Sequence, residues 1–280
     1  LVEEPEAHLH IQVQQVFIRQ AYKVLTNHKF LKQNLNFTTQ LVISTHSSHI
    51  AIETTFGNLR YFKRLPEGTE CAVATSKVIN LSDVFGDSDQ TNKFVTRYLQ
   101  STHCDLFFAD AAILVEGVAE SMLLPHFIRS KFPELYQRYI TILGVNGRHA
   151  HRLSPLIEKL CLPTLVITDL DPAEKEGYHK SVVPKRGEGQ ISGNYAIAKW
   201  LMKEKDIDKL VDYSEDKKEF SFASPYRFSI RLAYQTPVKV DFEGEEKEAI
   251  PGTFEDCLIY TKYDLFKKIK VTDSGNLVEQ

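Results

Sequence analysis

Three short apolar runs, Ala111–Val115, residues 139–145 and residues 163–168, constrain this chain most. Each is too short to be a helix of ordinary length, and each is apolar without the polar alternation of a half-exposed strand. Strands buried on both faces read this way, and the intervening segments 118–132 and 151–160 carry helical spacing. Strand and helix in alternation predict an α/β fold with a mainly parallel sheet flanked by helices. Ligands in such sheets sit beyond the carboxyl ends of the strands, so residues directly after each run deserve the closest reading.

The rest of the chain fits around that unit. With 280 residues, 42% of them hydrophobic and 25% charged, it can bury one large core or two modest ones. Before residue 82 the pattern is a strand stub, a turn at Glu3-Glu4-Pro5-Glu6, a helix over 7–31, a buried strand at Leu41-Val42-Ile43-Ser44, and two β-rich stretches, 59–62 and 72–79. Polar residues 80–92 read as a linker, followed by a helix ending near His103. Residues 175–193, rich in charge and Gly, read as a mobile loop over the strand ends. A helix over 195–203, a β-rich part over 228–240 and a helix from Thr253 complete the order. Leu1 falls inside what reads as a strand with no Met before it, so the chain is expected to be a piece of something longer. Four dispersed cysteines suggest neither a disulfide framework nor a zinc cluster, and a cytoplasmic protein without a membrane span is expected. A net charge of -3 is not the footprint of bulk-charge DNA binding, yet an acidic metal site with a local basic track would give the same balance.

Two acidic pairs follow the predicted strands. Ile113-Leu114-Val115-Glu116-Gly117 ends the first, with Glu120 one helical turn on; Leu165-Val166-Ile167-Thr168-Asp169-Leu170-Asp171 ends another. In an extended chain Asp169 and Asp171 project together, so four carboxylates converge if the strands are neighbours. Two like charges ~4 Å apart repel by about 4 kcal/mol at an effective dielectric near 20, which a cation would relieve. All-oxygen ligation suits Mg²⁺ or Mn²⁺, the usual apparatus of phosphate-ester chemistry. Surface acids at strand ends are the bland alternative. Glu255, beside Asp256 at a helix start capped by Thr253, is either a fifth ligand or a complement to the helix dipole.

These residues resemble the Toprim domain shared by topoisomerases, primases and some nucleases, where the glutamate and the Asp-x-Asp bind Mg²⁺. Leu1-Val2-Glu3-Glu4-Pro5-Glu6 resembles the Walker B segment of ABC and SMC-like ATPases, and Ser44-Thr45-His46-Ser47 their switch-histidine loop. An ATPase end running into a Toprim domain is similar to the OLD (overcoming lysogenization defect) family nucleases. The resemblance implies a partial ATPase lobe over 1–82, a connector over 83–108 and a Toprim domain with insertions over 109–280. It further implies a DNA endonuclease with catalytic Glu116, Asp169 and Asp171. One or two Mg²⁺ or Mn²⁺ ions would be held by these with Glu120 and Glu255, and phage defence or DNA processing is the implied role. Glu3, Glu4 and His46 would be the remnant of the nucleotide site. No Gly-x-x-x-x-Gly-Lys-Ser/Thr occurs in the sequence, so ATP is expected to act only in the full-length protein, through its ATP-binding part and in a homo-oligomer. The family also has a lysine beyond its last acidic motif, for which Lys262 and Lys267 are the nearest candidates.

Arg148 and Arg152, after the Gly144-Val145-Asn146-Gly147 turn, and Lys185 and Arg186, in the charged loop, are candidate phosphate contacts, set against a surface-patch reading of equal weight. His8, His10 and His46 fit the ATPase motifs better than a zinc site. Two rival functions remain: an ATPase-coupled DNA-binding module with a catalytically silent Toprim part, and a strand-passing topoisomerase, which would need a nucleophilic Tyr on a DNA-breaking domain.

Overall fold

The computed structural model describes residues 1–27, 40–65, 67, 73–82, 84, 93, 95, 97–99, 104–145, 149–175, 181–201, 203–223, 227–242 and 244–266. Its centre is a five-stranded sheet of order β10-β11-β7-β5-β6, built from Glu219–Phe222, Phe228–Ala233, Thr164–Ile167, Ala111–Val115 and Ile140–Gly144. Four of these strands run parallel, and β10 closes one edge antiparallel to β11. The expected mainly parallel α/β sheet is therefore present. Ala112, Leu114, Val115, Val166, Ile230 and Leu232 are all buried. Each large aliphatic side chain so buried contributes roughly 1.5–3 kcal/mol, which is why these runs carry no alternating polar face.

Helix α3 (Val118–Lys131) leaves β5 through Gly117, and α5 (Ser154–Leu160) returns the chain to β7. A short helix, α6 (Tyr195–Trp200), lies beyond the ends of the strands, and α8 (Phe254–Thr261) packs on α3. The capping box expected at α8 is formed: the Thr253 hydroxyl accepts from the Asp256 amide, and the Asp256 carboxylate accepts from the Thr253 amide.

The N-terminal part is a short parallel pair, β1 (Val2–Glu3) beside β2 (Ile43–Ser44), with α1 (Ile11–Thr26) and α2 (Ser48–Ile52). A hairpin follows, β3 (Arg60–Leu65) against β4 (Thr75–Asn80). The expected long helix from residue 7 begins only at Ile11. Pro5 starts a single 3-10 turn that ends at His8, and Leu9 and His10 are extended before the α-helix. The hairpin touches the central unit through Lys63, whose Nζ donates to the Leu160 and Cys161 carbonyls at the end of α5, both at 2.7 Å. The connector expected over 83–108 lies largely outside the described residues.

The charged loop differs from expectation. Its described part, from Ser181 onward, is tied down rather than standing free. β9 (Ile191–Ser192) pairs with β8 (Pro172–Ala173), the buried Gln190 amide bonds to Lys185 N and Val183 O, and Gly187 N donates to Asp208. Hydrogen bonds of this kind, some within the segment and others to Pro172–Ala173 and Asp208 outside it, are invisible to composition, which registers only charge and glycine.

Candidate metal centre

Strand register brings the acids to one place. β5 and β7 pair with Leu114 level with Val166, so two residues further on Glu116 stands beside Thr168. The Thr168 hydroxyl donates to Glu116 Oε1. On the other side of β7, Ile167 is level with Ala233, which brings Gln235 beside Asp169. There Gln235 Nε2 donates to Asp169 Oδ1 at 2.5 Å, while Gln235 Oε1 accepts from Leu170 N at 2.8 Å.

Asn194 joins the two halves. Its Nδ2 lies 2.7 Å from Glu116 Oε1, 2.9 Å from Thr168 Oγ1 and 3.2 Å from Asp171 Oδ2. Glu116 and Asp171 are therefore one amide apart. Glu120, one turn into α3, is 3% exposed, and its Oε2 is buried without a hydrogen-bond partner. Gly117 makes that placement possible: a Cβ there would meet Glu120 Oε2 at 2.5 Å. Burial pushes the Asp169 carboxyl up to about 7 against the opposing Gln235 hydrogen bond, and the charges of Glu116, Glu120 and Asp171 push it the same way. Glu116, Glu120 and Asp171 thus all act on Asp169.

The manner of convergence differs from the simple projection of Asp169 and Asp171 on one face. β7 ends at Ile167, and Asp171 has a positive φ of 47°, so the extended-chain rule does not reach it. The two aspartates turn to different partners, Gln235 and Asn194. Among the described residues, no three His, Cys, Asp or Glu side chains close around a common point that could hold a metal. Such an open arrangement is what a hard octahedral cation tolerates, because Mg²⁺ takes one or two carboxylates and keeps waters or substrate oxygens for the rest. The donor set fits such an ion in chemistry: all oxygen, more negative charge than the local hydrogen bonds offset, and one buried oxygen without a partner.

The other candidates are distributed as follows. Glu255 stands exposed in the first turn of α8. Arg186 lies 2.9 Å from Asp212 and 2.6 Å from Glu248, two ion pairs that a phosphate would have to compete with. Lys185 is exposed beside Glu188, Arg152 is half-buried in the turn Ala150–Leu153, and Arg148 and Lys267 lie outside the described residues. Lys262 sits at the C-cap of α8. At the N-terminal pair, Glu3 is level with Ser44, and His46 Nε2 lies 2.8 Å from Glu4 Oε1, so the two motif segments do meet. Glu6 joins them: its Oε1 accepts from Thr45 Oγ1 at 2.7 Å and His46 N at 2.6 Å. Burial opposes ionisation of Glu6, yet these hydrogen bonds hold its carboxyl below the usual range. Sequence reading missed Glu6, Asn194 and Gln235. The last two are far from the acids along the chain, and only the register of β11 and the β8–β9 pairing brings them in.

A mainly parallel sheet flanked by helices, with acids just beyond its strand ends, is an architecture of the Toprim kind. Residues 107–171 match the family described as overcoming lysogenization defect protein-like, TOPRIM domain, and residues 1–51 match an AAA ATPase domain. The two matched stretches follow one another in the order ATPase segment, then Toprim segment. The chain is similar to Endonuclease GajA of Bacillus cereus strain HuB5-5, 29% identical over 94% of this chain and 36% of that protein. It is also similar to Endonuclease GajA of Bacillus cereus strain VD045, 24% identical over 78% of this chain and 33% of the relative. The chain spans about a third of the length of these curated relatives.

Proposed function

We propose that this chain carries the nuclease centre of a divalent-metal-dependent DNA endonuclease, part of a longer ATPase-nuclease acting in phage defence or DNA processing. The observation that carries the reading is the buried, partnerless Glu120 oxygen set among the charges that raise Asp169. A pocket so charged is unfavourable by itself and becomes favourable with a dication in it. Glu116, Asp169, Asp171 and Glu120 would hold one or two Mg²⁺ or Mn²⁺ ions, with Glu255 as an outer ligand. Bound there, the ion supplies a Lewis acid for a phosphodiester oxygen and a more acidic water.

The protein's own residues do the remainder. Gln235 holds Asp169 by one oxygen, and Glu116, Asp169 and Asp171, which are half-buried where Glu120 is buried, are the acids that a backbone phosphate would approach. Arg152 and Lys185 supply the weak, salt-dependent grip on DNA. Glu3, Glu4 and His46 belong to the nucleotide site of the whole ATPase, whose ATP-binding part and self-association this reading also requires. The similarity to the two GajA endonucleases supports the same chemistry.

The test is nicking of supercoiled plasmid with Mg²⁺ or Mn²⁺. Wild type is expected to convert the plasmid to open circles, and Asp169→Ala to leave it supercoiled. Metal-independent nicking, or full activity in the variant, overturns the proposal; DNA binding without cleavage at any metal concentration favours the silent module.

A further inference from the structure

Asn194 is 1% exposed and lies outside every acidic motif. Its orientation is fixed from behind. Asn194 is the N-cap of α6, with Oδ1 accepting from Ala196 N at 2.8 Å and Ile197 N at 3.4 Å. Its own backbone N–H donates to Ser192 Oγ. With the oxygen committed to the helix, the NH₂ end must face the acids.

That NH₂ group has two protons and three acceptors within reach: Glu116 Oε1, Thr168 Oγ1 and Asp171 Oδ2. The shortest contact is to Glu116 and the longest to Asp171, so Asp171 is the acceptor that yields when something else claims it. Glu116 Oε1 is held twice, by Asn194 and by the Thr168 hydroxyl. Glu116 can then offer a cation at most its other oxygen unless both bonds break. Ca²⁺ takes six to eight oxygens and readily accepts a carboxylate through both, whereas Mg²⁺ demands octahedral geometry with single-oxygen ligands.

We infer that Asn194 is a positioning residue that sets metal selectivity, clamping one oxygen of Glu116 so that the site favours Mg²⁺ or Mn²⁺ over Ca²⁺. The inference rests on the carboxylate-site reading above. Asn194 needs no contact with the ion; it acts through Glu116 and through the release of Asp171. Outer-shell hydrogen-bond partners of metal ligands typically change affinity 10–100-fold when removed.

The experiment uses two variants of the full chain. Asn194→Ser keeps a capping oxygen but is too short to reach Glu116; Asn194→Asp keeps cap and volume but turns the donor into an acceptor. Mn²⁺ binding is followed by the free-ion EPR signal, with Mg²⁺ and Ca²⁺ as competitors, and thermal unfolding without metal checks the fold. The expected result for Asn194→Ser is a loss of Mn²⁺ and Mg²⁺ affinity of about tenfold or more, with Ca²⁺ affected at least threefold less. For Asn194→Asp the ratio of Mg²⁺ to Ca²⁺ affinity falls as well, whatever the added charge does to both. Unchanged Mn²⁺ affinity, or an equal loss for all three ions in a folded variant, overturns the inference while leaving the site reading intact. Wild type that binds no Mn²⁺ at millimolar concentration overturns the site reading itself, and the inference with it.

Discussion

Replacing Asp169 by Asn removes one negative charge from the crowded pocket while keeping shape and the oxygen that accepts from Gln235. The Asp169 carboxyl is raised from 3.8 to about 7, first by burial and then by Glu116, Glu120 and Asp171. A raised folded-state value means that the native protein binds the proton more tightly than the unfolded chain. Stability is therefore greatest below the unfolded value and is lost as pH climbs through the folded one. At about 1.4 kcal/mol per pH unit, the shift corresponds to roughly 4 kcal/mol lost above pH 7. Asp169 is partly open to solvent, and screening brings the figure nearer about 2 kcal/mol. Without metal, Asp169→Asn is thus expected to be more stable than wild type by about 2 kcal/mol at pH 8, with less than half that gap at pH 5. Urea unfolding in EDTA at the two pH values measures it. A variant less stable than wild type at pH 8, or a gap that does not widen between pH 5 and 8, would refute the electrostatic account of this pocket. Adding Mg²⁺ should reverse the order, since the ion stabilises only the protein that binds it well.

Other consequences follow from single contacts. Gly117→Ala puts a methyl 2.5 Å from where Glu120 Oε2 now sits, so the end of the Glu120 side chain must shift. Because only the flexible end of that side chain has to move, urea unfolding should change little while Mn²⁺ binding weakens, and unaltered binding would show that Glu120 takes no part. Thr253→Ala removes the side-chain cap of α8 and should destabilise by about 1 kcal/mol while leaving Mn²⁺ affinity alone.

Much of the centre was legible in the residues alone because its acids follow apolar runs immediately. Burial on both faces writes an uninterrupted apolar segment, and Glu116 and Asp169 mark where such segments end. The capping box at Thr253 and Asp256 was readable for the same reason: its bonds span three residues. The loop around Arg186 was not. Its charge suggested an available cation, and the ion pairs to Asp212 and Glu248 that occupy it come from distant segments.

Local order along the chain determined the strands, the α3 start at Gly117 and the presence of acids at the strand ends, since those depend on burial period and on contacts a few residues long. Tertiary structure alone decided which polar side chains accompany the acids. Gln235 reaches Asp169 because β11 lies beside β7, and Asn194 reaches Glu116 because β9 folds back on β8. Such pairings close loops of many residues and are selected by the packing of the whole sheet, so no short stretch of sequence records them.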